Sequence, residues 1–465
     1  MATGHLDRLS SIDASFLAQE RDGSHMHIGA VMVFEGPPPS RLEFTDHIAS
    51  RLHLVPRYRQ KLAVPRMEMG RPLWVDDPNF NINYHVRHTA LPAPGNNEQL
   101  RRLTSRIFSQ RLDRTKPLWE IWLTEGLEEG RFALINKTHH ALVDGVSGVD
   151  ITAVLFDLER EPAGEVQVDE RWTPSPEPSD ADLIGAGVRD LVGAPIGMAG
   201  RMAEALRRPG AAAGRAREAA EGVAEVGWGI INRPPETPLN VRIGPHRRVL
   251  WIETSLERLK EIKNDLGGTV NDVFLAVVSG ALARWLHSRG VRTEGLELRG
   301  CVPVSVRGRD EHGELGNRIT MMACPLPVYA GDPAVRFRIV SEAMEGLKES
   351  RQALGAEVIA GLQDFAPPTV FAQASRLNFS SRVYNLLVTN VPGPQFPLYL
   401  RGRELEKLVP IPFLALEKAL AIAIMSYNGK VEIGLMGDYE AMHDLDALGG
   451  YIEEEIGALA EAAVA

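Results

Sequence analysis

The segment His139-His140-Ala141-Leu142-Val143-Asp144-Gly145 sets two imidazoles, a carboxylate and a glycine within seven positions. An imidazole with an ordinary pKa of about 6.5 can accept a proton from an alcohol at neutral pH and return it to a departing thiolate, which is the chemistry of acyl transfer. Neighbouring side chains leaving a strand point to opposite sides, so one histidine of the pair faces substrate and the other faces the protein. His140 is assigned as the general base and His139 as its support. Asp144 has two readings, a triad-like orienting carboxylate or a structural anchor paired with an arginine such as Arg307, and the structural role is favoured. Gly145 allows a positive φ or a close backbone approach where the chain turns. A metal reading of His140 and Asp144 lacks a third nearby ligand, so no metal is assigned.

The flanking sequence says how these residues are held. Phe132 to Thr138 has the apolar, β-branched character of a strand that delivers the histidines, preceded by a turn at Glu128-Glu129-Gly130 and a further strand from Pro117 to Leu123. Val149 to Phe156 has helical spacing. Upstream, a strand from Ile28 to Phe34 ends at a Gly-Pro-Pro-Pro run and is followed by helical periodicity through Phe44, His47, Ile48 and Leu52. Alternation of strand and helix implies an α/β layered architecture.

At 465 residues the chain exceeds one compact core and suits two domains and a connector. Thr173 to Ser179 is a proline-rich, extended connector, and Ala181 to Ile231 is Ala/Gly-rich with interspersed arginines. That stretch reads either as a solvated helix pair between domains or as a contact with a membrane surface or lipid droplet. Strand signals resume at Val249 to Ile252. Residues 1–170 and 241–465 are therefore expected as two domains, with 171–240 as the linker. A helix from Ser255 to Leu266 is stopped by Gly267-Gly268, and a second runs from Asn271 to about Arg289.

A formal net charge of -10 disfavours nucleic acid as the main partner, since phosphate recognition needs a basic footprint. The two cysteines, Cys301 and Cys324, sit in apolar contexts and read as reduced core thiols. No apolar run reaches the ~18 to 20 residues that span a bilayer, because Glu417 and Lys418 interrupt the best candidate, Ile411 to Met425. With no basic-then-apolar leader at the start, a cytoplasmic protein is expected, with membrane or lipid-inclusion contact at most peripheral.

The order of Leu9-Ser10-Ser11-Ile12-Asp13-Ala14-Ser15-Phe16-Leu17, Pro117-Leu118-Trp119-Glu120, His139-His140 with Asp144-Gly145, Thr269-Val270-Asn271-Asp272-Val273, Pro303-Val304-Ser305-Val306-Arg307 and Thr389-Asn390-Val391-Pro392-Gly393-Pro394 resembles the bacterial wax ester synthase/diacylglycerol acyltransferase family over nearly the whole chain. The resemblance implies two chloramphenicol-acetyltransferase-like subdomains of the CoA-dependent acyltransferase fold, with the site where they meet. It gives catalysis to the second histidine, His140, and a mainly structural role to Asp144. It also implies direct transfer from an acyl-CoA co-substrate to a hydroxyl of diacylglycerol or a long-chain alcohol, with no acyl-enzyme, no metal and no cofactor.

The tetrahedral oxyanion of that reaction needs a donor. Asn271 has two readings, this donor or a helix N-cap. Gln373 likewise either contacts the thioester or acceptor, or satisfies a buried backbone group. Arg307 has an alternative reading as a ligand for CoA phosphate. Triacylglycerol synthesis is the expected activity. Its rivals are wax ester synthesis, a condensation-type enzyme using a carrier-bound thioester, and a catalytically silent lipid-binding protein.

Overall fold

The computed structural model describes residues 7–21, 23–64, 72–142, 155–161, 172–179, 181–183, 185, 232–305, 319–349 and 383–464. The strands are β1 (Asp7–Arg8), β2 (His27–Phe34), β3 (Gln60–Ala63), β4 (Leu73–Asp76), β5 (Val86–Ala90), β6 (Trp119–Glu125), β7 (Phe132–His139), β8 (Arg247–Ser255), β9 (Leu298–Ser305), β10 (Ile319–Leu326), β11 (Leu386–Pro392), β12 (Tyr399–Leu400), β13 (Arg403–Ile411), β14 (Leu420–Tyr427) and β15 (Lys430–Asp438). They form two six-stranded sheets, in the orders β12-β13-β2-β7-β6-β5 and β10-β9-β11-β14-β15-β8, and a small sheet β1-β4-β3. The expected mixed α/β architecture is present.

In the first sheet β7 lies between β2 and β6, both antiparallel to it, and every residue of β7 is buried. Two of the six strands, β12 and β13, come from residues 399–411; β13 pairs onto β2, and β12 pairs onto β13. The first sheet is thus completed by chain from beyond residue 241: the second half lends strands to the first across the boundary drawn in the sequence, and the second sheet is built from the second half alone. One apolar core runs through the first half and takes in Trp251, Cys301, Tyr384, Leu387 and Phe413 of the second. The other core lies within the second half, around the helix Val270–Ser288. No single helix among the described residues is long and apolar enough to cross a membrane.

The expected helices appear with identifiable ends. Leu256–Leu266 begins at Ser255, whose hydroxyl accepts from the Glu257 and Arg258 N–H groups, and stops at Gly267, whose φ of 83° a side chain would resist. The proline-rich connector docks on the small sheet. Trp172 lies beneath the Arg59 guanidinium, Ser175 N–H donates to Asp76 at 2.9 Å, and Glu177 pairs with Lys61. The Ala181–Ile231 stretch lies outside the described residues apart from residues 181–183 and 185.

Helix Asn97–Ser109, closed by an Asn96/Gln99 capping box, joins the halves. Strand β8 is the edge of the second sheet, and its outward backbone groups need partners. Ser109 Oγ accepts from Arg247 N–H at 2.9 Å, Ser105 Oγ accepts from Val249 N–H at 3.0 Å, and Arg101 donates to the Trp251 carbonyl at 2.6 Å. The register follows from geometry: a four-residue helical step advances ~6 Å, and a two-residue strand step advances ~6.8 Å. Ser105→Ala and Ser109→Ala should each cost about 1–3 kcal/mol, the penalty of stranding a buried N–H. Urea denaturation at unchanged m-value would register this, and wild-type midpoints would show that the serines do not hold the edge.

Beside this seam Glu432 of β15 stands opposite Glu253 of β8, which is ion-paired with Lys407 of β13. Burial pushes the Glu432 carboxyl up to about 8 and Glu253 adds to the shift, while Lys407 and Lys430 oppose it. A carboxyl raised on folding stabilises the protonated protein, and that contribution fades as pH climbs from its unfolded value through about 8. Glu432→Gln, which stays neutral, should therefore gain melting temperature over wild type progressively across that window. A pH-independent difference would contradict the assignment.

Candidate active site

The histidine doublet sits where β7 ends and a short turn, residues 140–142, begins. Its backbone is pinned from both neighbours. His139 N–H donates to Leu118 O at 3.0 Å, and His140 N–H donates to Met26 O at 2.9 Å. The side chains then diverge as alternation requires.

His139 points inward and is buried, opposite His27 in the strand register, with the two rings edge-on at 5.8 Å. Its Nδ1 accepts from Ala141 N–H at 3.0 Å, so the ring carries its proton on Nε2, which faces Glu20 Oε2 at 3.6 Å. Burial holds the His139 pKa below the ordinary imidazole value against the pull of Glu20. Glu20 stays below the usual carboxylate range: burial pushes it upward, but His139, Arg114 and Arg111 outweigh that. Arg114 Nε stands 2.9 Å from Glu20 Oε2.

His140 points the other way and is only half-buried. Its ring stacks on Phe16 with centroids 3.9 Å apart and meets Phe413 edge-on at 5.4 Å. Phe16 comes from the first helix, Ser11–Gln19, and Phe413 from the segment after β13, so both halves of the chain close on this imidazole. Its Nδ1 is buried and has no hydrogen-bond partner among the described residues. Desolvation lowers the His140 pKa to about 4, which leaves the ring neutral and able to accept a proton throughout the physiological range.

Asn271 lies at the start of the helix Val270–Ser288, but the cap is Thr269, whose hydroxyl accepts from Asp272 N–H while Asp272 accepts in return from Thr269 N–H. The N-cap reading of Asn271 is therefore corrected. Asn271 is half-buried, and its Oδ1 accepts from Asn390 Nδ2 of β11 at 3.3 Å, which joins two of the sequence landmarks. Asp144, Gly145, Arg307 and Gln373 lie outside the described residues. Cys301 and Cys324 are free, buried thiols whose pKa values burial pushes up to about 12, so neither is a thiolate at neutral pH. Trp119 is a core residue whose Nε1–H donates to Tyr58 O at 2.8 Å.

The sequence reading missed Glu20, Arg114 and Phe413. Glu20 follows Phe16 by four residues, one helical turn, and that spacing was the available signal. Phe413 carries no comparable signal, because only tertiary structure brings it to residue 140.

The chain is similar to known proteins over most of its length. The wax ester synthase/diacylglycerol acyltransferase catalytic domain matches residues 9–274, and the C-terminal domain of the same family matches residues 315–460. A probable diacylglycerol O-acyltransferase of Mycobacterium tuberculosis is 31% identical over 458 residues, covering 98% of this chain and 96% of that protein. Among solved structures, a wax ester synthase/diacylglycerol acyltransferase from Marinobacter aquaeolei VT8 superposes with a TM-score of 0.68 at 24% identity, over 98% of this chain and 100% of that one. The starter condensation domain of rhizomide synthetase, solved with C8-CoA and Leu-SNAC, shares the fold with a TM-score of 0.59 at 13% identity, over 99% and 94% of the two chains. The chain belongs to the wax ester synthase/diacylglycerol acyltransferase family.

Proposed function

We propose that this protein is an acyl-CoA-dependent O-acyltransferase that converts diacylglycerol to triacylglycerol by direct transfer, with His140 as general base. The observation that carries the assignment is the contrast within the doublet. His139 directs both ring nitrogens into the protein, whereas His140 is half-buried and held between Phe16 and Phe413. His140 takes the acceptor hydroxyl proton as that oxygen attacks the thioester carbonyl. The C–O bond forms, the C–S bond breaks, and the proton passes to the CoA thiolate. Asn271 is the proposed donor to the tetrahedral oxyanion, a contact whose loss typically costs about 3 to 4 kcal/mol of barrier. The enzyme works in the cytoplasm, at the surface of a membrane or lipid inclusion where its acceptor dissolves.

The base must be neutral to act, and the His140 pKa is lowered to about 4. The rate constant kcat/KM should therefore stay level from neutral pH down past the ordinary imidazole value and fall only as His140 protonates. An inflection near the ordinary imidazole pKa would contradict this reading.

Release of CoA thiol from oleoyl-CoA, measured with dioleoylglycerol and with hexadecanol, tests the function. The expected result is the higher kcat/KM with diacylglycerol. Preference for hexadecanol would make the protein a wax ester synthase. No thiol release with either acceptor, together with tight liposome binding, would make it a lipid-binding protein.

A further inference from the structure

The first helix addresses both histidines from one face. Phe16 and Glu20 are one turn apart, so their side chains project together. Phe16 covers the His140 ring at 3.9 Å, and Glu20 Oε2 stands 3.6 Å from His139 Nε2. The helix end is held in place in turn: Glu20 N–H closes on Phe16 O, and Arg114 donates to Leu17 O at 3.0 Å while its Nε approaches Glu20. On the far side of the His139 ring, Nδ1 accepts from Ala141 N–H and so fixes the turn that carries His140.

We infer that Glu20 is a positioning residue for the His140 base: its carboxylate holds His139 in the Nε2–H tautomer, and the bare Nδ1 of that tautomer anchors the 140–142 turn. The inference rests on the proposed role of His140 and adds to it the residue that sets the geometry. Were the His139 proton on Nδ1, two N–H groups would confront each other at Ala141 and the turn would lose its anchor. A charged His139 would have the same defect, so the buried ring must stay neutral as well as correctly tautomerised. Glu20 presents a carboxylate oxygen on the Nε2 side alone, at 3.6 Å an electrostatic contact longer than a hydrogen bond. An amide oxygen at the same place would do likewise, which separates this mechanism from one that needs the negative charge.

The test compares E20L, E20Q and H140A by steady-state kinetics with oleoyl-CoA and dioleoylglycerol, and by 15N spectra of histidine-labelled protein. E20L should lose kcat on the order of 10²-fold, the scale of an ångström-sized misplacement, with KM for oleoyl-CoA unchanged. E20Q should restore most of that loss. The spectra should show His139 as the Nε2–H tautomer in wild type and E20Q, and a mixture in E20L. Folded E20L with wild-type kcat, or equal losses in E20L and E20Q, would overturn the inference. Should E20L fail to fold, a wild-type spectrum with the His139 proton on Nδ1 would overturn it alone. H140A separates the two levels: inactive H140A beside fully active E20L sinks only the role of Glu20, whereas active H140A sinks the assignment of the base.

Discussion

Replacing His140 with alanine should lower turnover roughly 10²- to 10⁴-fold, the usual contribution of a positioned general acid-base, and leave the fold in place. The ring stacks on Phe16 and meets Phe413 edge-on, and among the described residues its Nδ1 has no hydrogen-bond partner to strand. Truncation therefore removes chemistry and some packing and strands no partner among the described residues. His139→Ala differs, because it deletes the acceptor of Ala141 N–H in the buried interior. Steady-state kinetics and thermal melts on both variants check this. A folded His140→Ala enzyme with near wild-type turnover would refute the assignment. Loss of turnover in His139→Ala at an unchanged melting temperature, beside an active His140→Ala enzyme, would exchange the two roles.

Loss of the Lys137 ammonium should produce the largest stability change of a single substitution considered for this fold, on the order of 3–5 kcal/mol. Lys137 lies two residues before His139 on β7 and is fully buried. Its Nζ donates to Ile107 O at 3.1 Å and Gln110 O at 3.2 Å, at the end of the helix Asn97–Ser109, and stands 3.6 Å from Glu120. A cation is favoured at that helix end by the carbonyls left unpaired there. Lys137→Ala would strand Gln110 O, leave Ile107 O with the Gln110 N–H alone, and take one counter-charge from Glu120, which keeps Arg87 and the Trp122 Nε1–H. Lys137→Met, which preserves the aliphatic stem, should lose less. Denaturant unfolding decides the matter, and a wild-type midpoint for Lys137→Ala would show that the buried ammonium contributes nothing net.

Periodicity and turn chemistry made much of the secondary structure legible. The strand delivering the histidines, the helix stopped at Gly267 and the long apolar helix after Thr269 all lie within a residue or two of where the sequence puts them. The divergence of His139 and His140 was likewise readable, since it follows from strand alternation alone. What the sequence withheld is long-range. Nothing local announces that β13 pairs onto β2, or that Phe413 beside β13 packs against residue 140. Asn271 shows a subtler limit. Asparagine is favoured at helix N-caps, but Thr269 with Asp272 three residues on forms a reciprocal box and takes the position. That box was present in the sequence as a pattern stronger than the propensity of a single residue. Glu20 was hidden for another reason: a carboxylate at the end of a helix looks solvated until the fold buries it against His139.

The proposed reaction is one transfer, from the thioester of an acyl-CoA to a hydroxyl oxygen without a covalent enzyme intermediate. Purified protein incubated with radiolabelled oleoyl-CoA, with and without dioleoylglycerol, measures it most directly. CoA should be released only when the acceptor is present, equimolar with labelled triacylglycerol, and no label should remain on the protein after rapid denaturation. CoA release without acceptor, accompanied by label retained on the chain, would contradict it.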